Sequence, residues 1–147
     1  MNYGYLCNEI QHFSAMAKIT VQNTQITVLQ WAEQDYISLT DMASAKEGDS
    51  RSADIIKNWI RNRYTIEFLG TWEVIHNPNF KVVEFDHFRK SAGLPSFVLS
   101  ASEWIECTSA IGLVVKKGRY GGTYAHKDIA FEFGSAISVP FKLYLIE

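Results

Sequence analysis

The twelve residues from Lys116 to Lys127 hold four fixed positive charges, Lys116, Lys117, Arg119 and Lys127, and no carboxylate. Tyr120, Tyr124 and His126 are interleaved with them, and three glycines interrupt the run. This mixture suits a polyanion: the cations neutralise phosphates, the rings and hydroxyls add hydrogen bonds, and Gly121-Gly122 permits a tight turn and a close backbone approach. A solvated surface hairpin is the plain alternative. A second basic block spans Arg51 to Arg63, where Arg51, Lys57, Arg61 and Arg63 outweigh Asp54 by three charges. The chain as a whole carries −2, so everything outside the two blocks sums to −9. Charge distribution, not net charge, is therefore the informative quantity, provided the fold brings both blocks to one side.

The elements that must position these blocks are read from periodicity. Val114-Val115 leads into the glycines and Thr123-Tyr124 leads out, which predicts a β-hairpin. A helix follows, with Ile129, Ala130, Phe133, Ala136 and Ile137 on its inner face, and its first turn, beside His126 and Lys127, is expected to be able to hold an anion. In the other block Ser52 is the expected N-cap of a helix. Ile55, Ile56, Trp59 and Ile60 gather on one face of it and Asp54, Lys57, Asn58 and Arg61 on the opposite one. Arg, Lys and Asn are the side chains that read base edges and grip phosphates. A capping box, Ser38-Leu39-Thr40-Asp41, starts the preceding helix, which turns Leu39, Met42 and Ala43 inward and stops near Gly48. Two short helices joined by a glycine-containing turn predict a helix-turn-helix.

The remainder reads as scaffold. Lys18 to Leu39 has β character, with two or three strands and a turn at Gln22-Asn23-Thr24. Thr65 is expected to cap a helix with Ile66, Leu69 and Trp72 inward, closed by Asn77-Pro78-Asn79. Phe85, Phe88 and Ala92 mark another that Gly93 ends. Ser100 to Glu103 is a second capping box, for a helix carrying Trp104, Ile105, Thr108 and Ile111 to a stop at Gly112. The fold class is α+β, a small antiparallel sheet with several helices. At 147 residues and 47% hydrophobic the chain makes one domain, residues 16–147, preceded by an extension over 1–15. The apolar run Phe141 to Glu147 is expected to continue into a longer protein.

Other chemistries find little support. Cys7 and Cys107 form no Cys-x-x-Cys pair, and His12, His76, His87 and His126 lack metal-ligand spacing, so no metal and no cofactor is expected. No Asp-x-Lys or Glu-x-Lys element, P-loop or serine-nucleophile signature occurs, and an enzyme is not expected. No stretch has the length to span a bilayer and no signal peptide is visible, so the expected location is the cytoplasm.

The run Gly118-Arg119-Tyr120-Gly121-Gly122-Thr123-Tyr124-Ala125-His126-Lys127-Asp128-Ile129-Ala130-Phe131-Glu132-Phe133 resembles the signature of the KilA-N domain of phage, large DNA virus and bacterial proteins. The resemblance extends to Asp35 to Ala43, Ile56 to Asn62, Thr65 to Gly70 with Trp72-Glu73, and Phe141 to Ile146. It departs from the pattern at Gly134, Ala136 and Ser138-Val139-Pro140-Phe141. The family is similar to the fungal APSES domain and is regarded as DNA-binding. The resemblance thus implies a winged helix-turn-helix-like core, with Ala53 to Asn62 as recognition helix and Val114 to Ala125 as wing. Duplex DNA is the implied partner. It would be held by Arg51, Lys57, Asn58, Arg61, Arg63, Lys116, Lys117, Arg119, Tyr120, Gly121, Gly122, Thr123, Tyr124, His126 and Lys127. The alternative is an interaction module of an antirepressor-like protein that binds a repressor instead of DNA.

Overall fold

A computed structural model describes residues 15–21, 24–118 and 121–137. The expected turn at 22–23, Arg119 and Tyr120 at the hairpin tip, Cys7, His12 and the run 141–147 lie outside the described residues. Five strands, β1 (Ala15–Val21), β2 (Thr24–Trp31), β3 (Gln34–Ser38), β4 (Leu113–Lys116) and β5 (Gly122–His126), form one antiparallel sheet in the order β1-β2-β3-β5-β4. Six helices accompany them among the described residues: α1 (Leu39–Glu47), α2 (Ser52–Ile60), α3 (Arg63–His76), α4 (Val82–Ser91), α5 (Ala101–Thr108) and α6 (Lys127–Ile137). A single 3₁₀ turn, Asp49–Arg51, joins α1 to α2. The fold is α+β, as expected from the sequence, but the hairpin β4–β5 is not a separate appendage. β3 pairs with β5 through Tyr36↔His126, Ile37↔Ala125 and Ser38↔Tyr124, so the hairpin continues the N-terminal sheet.

Strict alternation along the strands explains which side chains are enclosed. Ile26, Ile37, Leu113 and Ala125 face the helices and join the main core with Leu39, Met42, Trp59, Ile60, Ile66, Leu69 and Phe133. Leu29, Tyr36, Val114 and Tyr124 point to the other face and form a second, smaller cluster, against which Trp31 packs. The sheet is thus apolar on both faces.

Helix starts follow the sequence where a hydroxyl is in place. The Ser38 Oγ accepts from the Asp41 N–H at 3.0 Å, and the Ser100 Oγ from the Glu103 N–H at 3.0 Å. Three details differ from expectation. Ser52 is the first residue of α2, behind a 3₁₀ turn, and not its cap; α2 ends at Ile60, and Asn62 instead caps α3 by accepting from the Tyr64 N–H at 2.9 Å. Thr65, expected as that cap, is buried inside α3. α5 ends at Thr108, four residues before Gly112, because Ser109 adopts the left-handed conformation that closes a helix. On α6, Ile129, Ala130 and Phe133 are buried as the spacing required, whereas Ala136 is exposed.

Candidate nucleic-acid interface

The outer face of α2 carries Asp54, Lys57 and Asn58, all exposed, with Arg61 half-buried at its end and Arg51 exposed just before its start. Ile56, Trp59 and Ile60 hold the opposite face in the core, where the Trp59 ring meets Phe133 edge-on at 4.9 Å. The polar face is therefore presented by a helix fixed from behind. Val98 and Leu99, in the segment before α5, close a small hollow of about 140 Å³ against Asp54, Lys57, Asn58 and Arg61.

A larger groove of about 310 Å³ lies between α2, the start of α5 and the hairpin. Lys57 and Ala53 line it from α2, Ser102 from α5, and Val115, Gly122 and Thr123 from the two hairpin strands. The hairpin is held beside α1 by one hydrogen bond, the Thr123 N–H donating to the Thr40 Oγ1 at 3.0 Å. Such proximity requires Gly122. Its φ is +149°, and a Cβ there would lie 2.8 Å from the Thr40 hydroxyl. The turn differs from the expected Gly121-Gly122 arrangement. Gly118, at φ +82°, and Gly122 take the left-handed angles, while Gly121 donates its N–H to the Gly118 carbonyl at 2.9 Å. The side chains of Lys116, half-buried, and Lys117, exposed, stand where β4 enters this turn.

The other sequence-predicted residues are placed elsewhere. Lys127 begins α6, five residues beyond Gly122 along an extended strand and so about 16 Å from the turn. Arg63 opens α3 and pairs with Glu67 at 3.8 Å, both largely exposed. Tyr124 and His126, expected to meet nucleic acid, are only 2% and 5% exposed because alternation turns them onto the second face of the sheet. Burial, with the Asp41 carboxylate adding to it, pushes the Tyr124 hydroxyl up to about 12. The His126 Nε2–H donates to the Gln34 Oε1 at 2.8 Å, and its Nδ1 accepts from the Asp128 N–H at 3.1 Å. Burial holds its pKa below the ordinary value, against the partial opposing effect of Asp128. These two rings serve the interior. At the start of α6 the Asp128 carboxylate accepts from the Trp72 indole N–H at 3.0 Å.

One residue that positions the hairpin has no counterpart among the expected site residues. Glu73, on α3, is 1% exposed and receives the Ile111 N–H at 3.0 and 3.1 Å, the Gly112 N–H at 2.7 Å and the Asn77 side-chain N–H at 3.0 Å. It thereby clamps the segment entering β4. The Tyr36 hydroxyl donates to the Ile111 carbonyl at 2.9 Å and completes the anchor. Burial drives the Glu73 carboxyl above its usual range, and these hydrogen bonds offset part of the effect. The signal for it in sequence is a carboxylate in register with Ile66 and Leu69, at spacing i, i+3, i+7.

Among the described residues no group of three or more His, Cys, Asp or Glu could hold a metal ion, and no helix is long and apolar enough to cross a membrane. α2, bearing Lys57, and the lysine-bearing β4–β5 hairpin thus border one groove of an α+β domain. Comparison with protein families gives the class: residues 19–147 match the KilA-N domain. The chain belongs to the KilA-N family, a family of DNA-binding type. No curated protein and no solved structure was found to match it.

Proposed function

We propose that this chain binds duplex DNA with preference for sequence, as a winged helix-turn-helix in which α1 and α2 are the paired helices and the β4–β5 hairpin is the wing. The observation that carries this reading is the shared groove: α2, bearing Lys57 and flanked by Arg51 and Arg61, and the hairpin, bearing Lys116 and Lys117, border one concavity. In this reading Lys57, Asn58 and Arg61 enter the major groove, Asn58 and Arg61 discriminate between base pairs, and Arg51, Lys116 and Lys117 grip phosphates. Arg119 and Tyr120, between β4 and β5 in the sequence, add contacts to phosphates or a minor groove in this reading. Tyr124 and His126 act only as supports for β5.

The test is a titration of the 147-residue chain with random duplex and with a selected oligonucleotide pool at two salt concentrations. Lys117→Ala and Arg119→Ala should weaken all duplexes alike and each lower the salt slope by about 0.9. Asn58→Ala and Arg61→Ala should flatten discrimination between sites, by about 1–3 kcal/mol per lost bidentate contact. No binding at low salt rejects the proposal.

A second reading, a module that binds a repressor, draws on Val74, Ile75, Val82 and Val83, large exposed apolar side chains on both sides of the turn after α3. Stoichiometric recovery of a regulator, together with weak DNA affinity that collapses in salt, would favour it.

A further inference from the structure

A cleft of about 430 Å³ opens at the root of the hairpin, at the end of the β3–β5 pair remote from Gly122. Trp31, Tyr36, Trp72, His76 and His126 wall it, and the described residues that line it include no Lys, Arg, Asp or Glu. It shares no residue with the groove between α2 and the hairpin. We infer that this cleft binds a small, flat, uncharged heteroaromatic molecule of nucleobase or indole size, independently of any contact with DNA.

Shape, stacking and the polar rim each contribute to the inference. The volume lies in the range of about 300–1,000 Å³ typical of small-molecule sites. Trp72 and His76 are already stacked, with ring centroids 4.4 Å apart and planes 22° from parallel. A third ring can extend that stack or bridge it to Trp31. The edges supply direction. His76 sets its Nδ1 at 2.9 Å from the Trp72 carbonyl, which leaves Nε2 for a ligand; Gln34 commits its Oε1 to His126, which leaves the amide N–H groups as donors. Heterocycles with ring nitrogens or carbonyls on one edge match such a rim. A phosphate or carboxylate would be desolvated here without a counter-charge, which selects neutral ligands.

The experiment follows the tryptophan indole N–H and histidine ring resonances of the full chain by NMR during titration with adenosine, uridine, indole and adenosine monophosphate. Saturable shifts confined to Trp31, Trp72, His76 and His126 are expected with at least one neutral ring. Preference for adenosine assigns the site to nucleosides, and preference for indole to indole-bearing molecules. His76 is exposed, so His76→Ala should keep a cooperative melting transition while weakening binding by about tenfold or more, the effect of removing one stacking face. Trp31→Ala supplies an independent second variant with the same expected loss. The inference is overturned by the absence of saturable shifts with all three neutral compounds, by tighter binding of the monophosphate than of adenosine, or by full affinity in both variants.

Discussion

Replacing Glu73 by alanine tests how the hairpin is held. The carboxylate accepts from three donors, the N–H groups of Ile111 and Gly112 and the Asn77 amide, in a site that is 1% exposed. In Glu73→Ala the Ile111 and Gly112 N–H groups lose their partner, while the Asn77 amide keeps its bond to the Ser109 carbonyl at 2.9 Å, and a stranded buried donor costs about 1–3 kcal/mol. Relief of the carboxylate's own desolvation, the cause of its raised pKa, offsets part of that sum. A net loss of about 2–4 kcal/mol results. For a chain of this length that lowers the melting temperature by roughly 4–16 °C. Urea unfolding followed by tryptophan fluorescence, with calorimetry beside it, measures the change. Glu73→Gln keeps the volume and one acceptor but turns an amide toward an N–H, so it should fall between wild type and Glu73→Ala. Because the folded pKa is raised, the Glu73 contribution is fully present below its ordinary value of 4.5 and is lost as pH rises through the folded pKa; Glu73→Gln removes that dependence. A loss below about 1 kcal/mol in Glu73→Ala would refute the clamp.

Other substitutions probe separate links. Gly122→Ala forces a Cβ against Thr40 at an angle that suits only glycine; it should cost about 1–3 kcal/mol by urea unfolding and displace Thr123 from its bond to Thr40. Ser38→Ala removes the α1 cap and should cost about 1 kcal/mol in the same assay. His126 has a depressed folded pKa, so its contribution is present above the unfolded value of 6.5 and is lost as pH falls through the folded pKa; stability measured from pH 7 downward should show this slope, and His126→Gln should flatten it.

Legibility in the sequence followed the locality of the signal. The caps at Ser38 and Ser100, the stop at Gly48 and the two faces of α2 depend on residues within one or two turns, and all could be read directly. Tyr124 and His126 could not. Their types suit a groove, and only the pairing of β5 with β3, 90 residues away at Tyr36↔His126, shows that alternation turns them onto a second apolar layer. Ala32 and Glu33 make the β2–β3 turn at φ 52° and 64° without the glycine or asparagine that marks such turns. Asp41 satisfies the capping pattern through its backbone, but its carboxylate accepts from the Thr27 N–H at 2.8 Å, a tertiary contact with β2 that no local pattern contains.

The pairing of β3 with β5 also fixes an order of events in time. β1, β2 and β3 meet through short connections, and α1 and α2 follow directly along the chain, so these contacts are local in sequence. β5 joins β3 across about 90 residues of chain, so this closure carries a larger loop entropy than the pairings of β1, β2 and β3. A ribosome-bound chain therefore carries α2 long before it carries the hairpin beside it. The groove between α2 and the hairpin is complete only when β5 has joined the sheet.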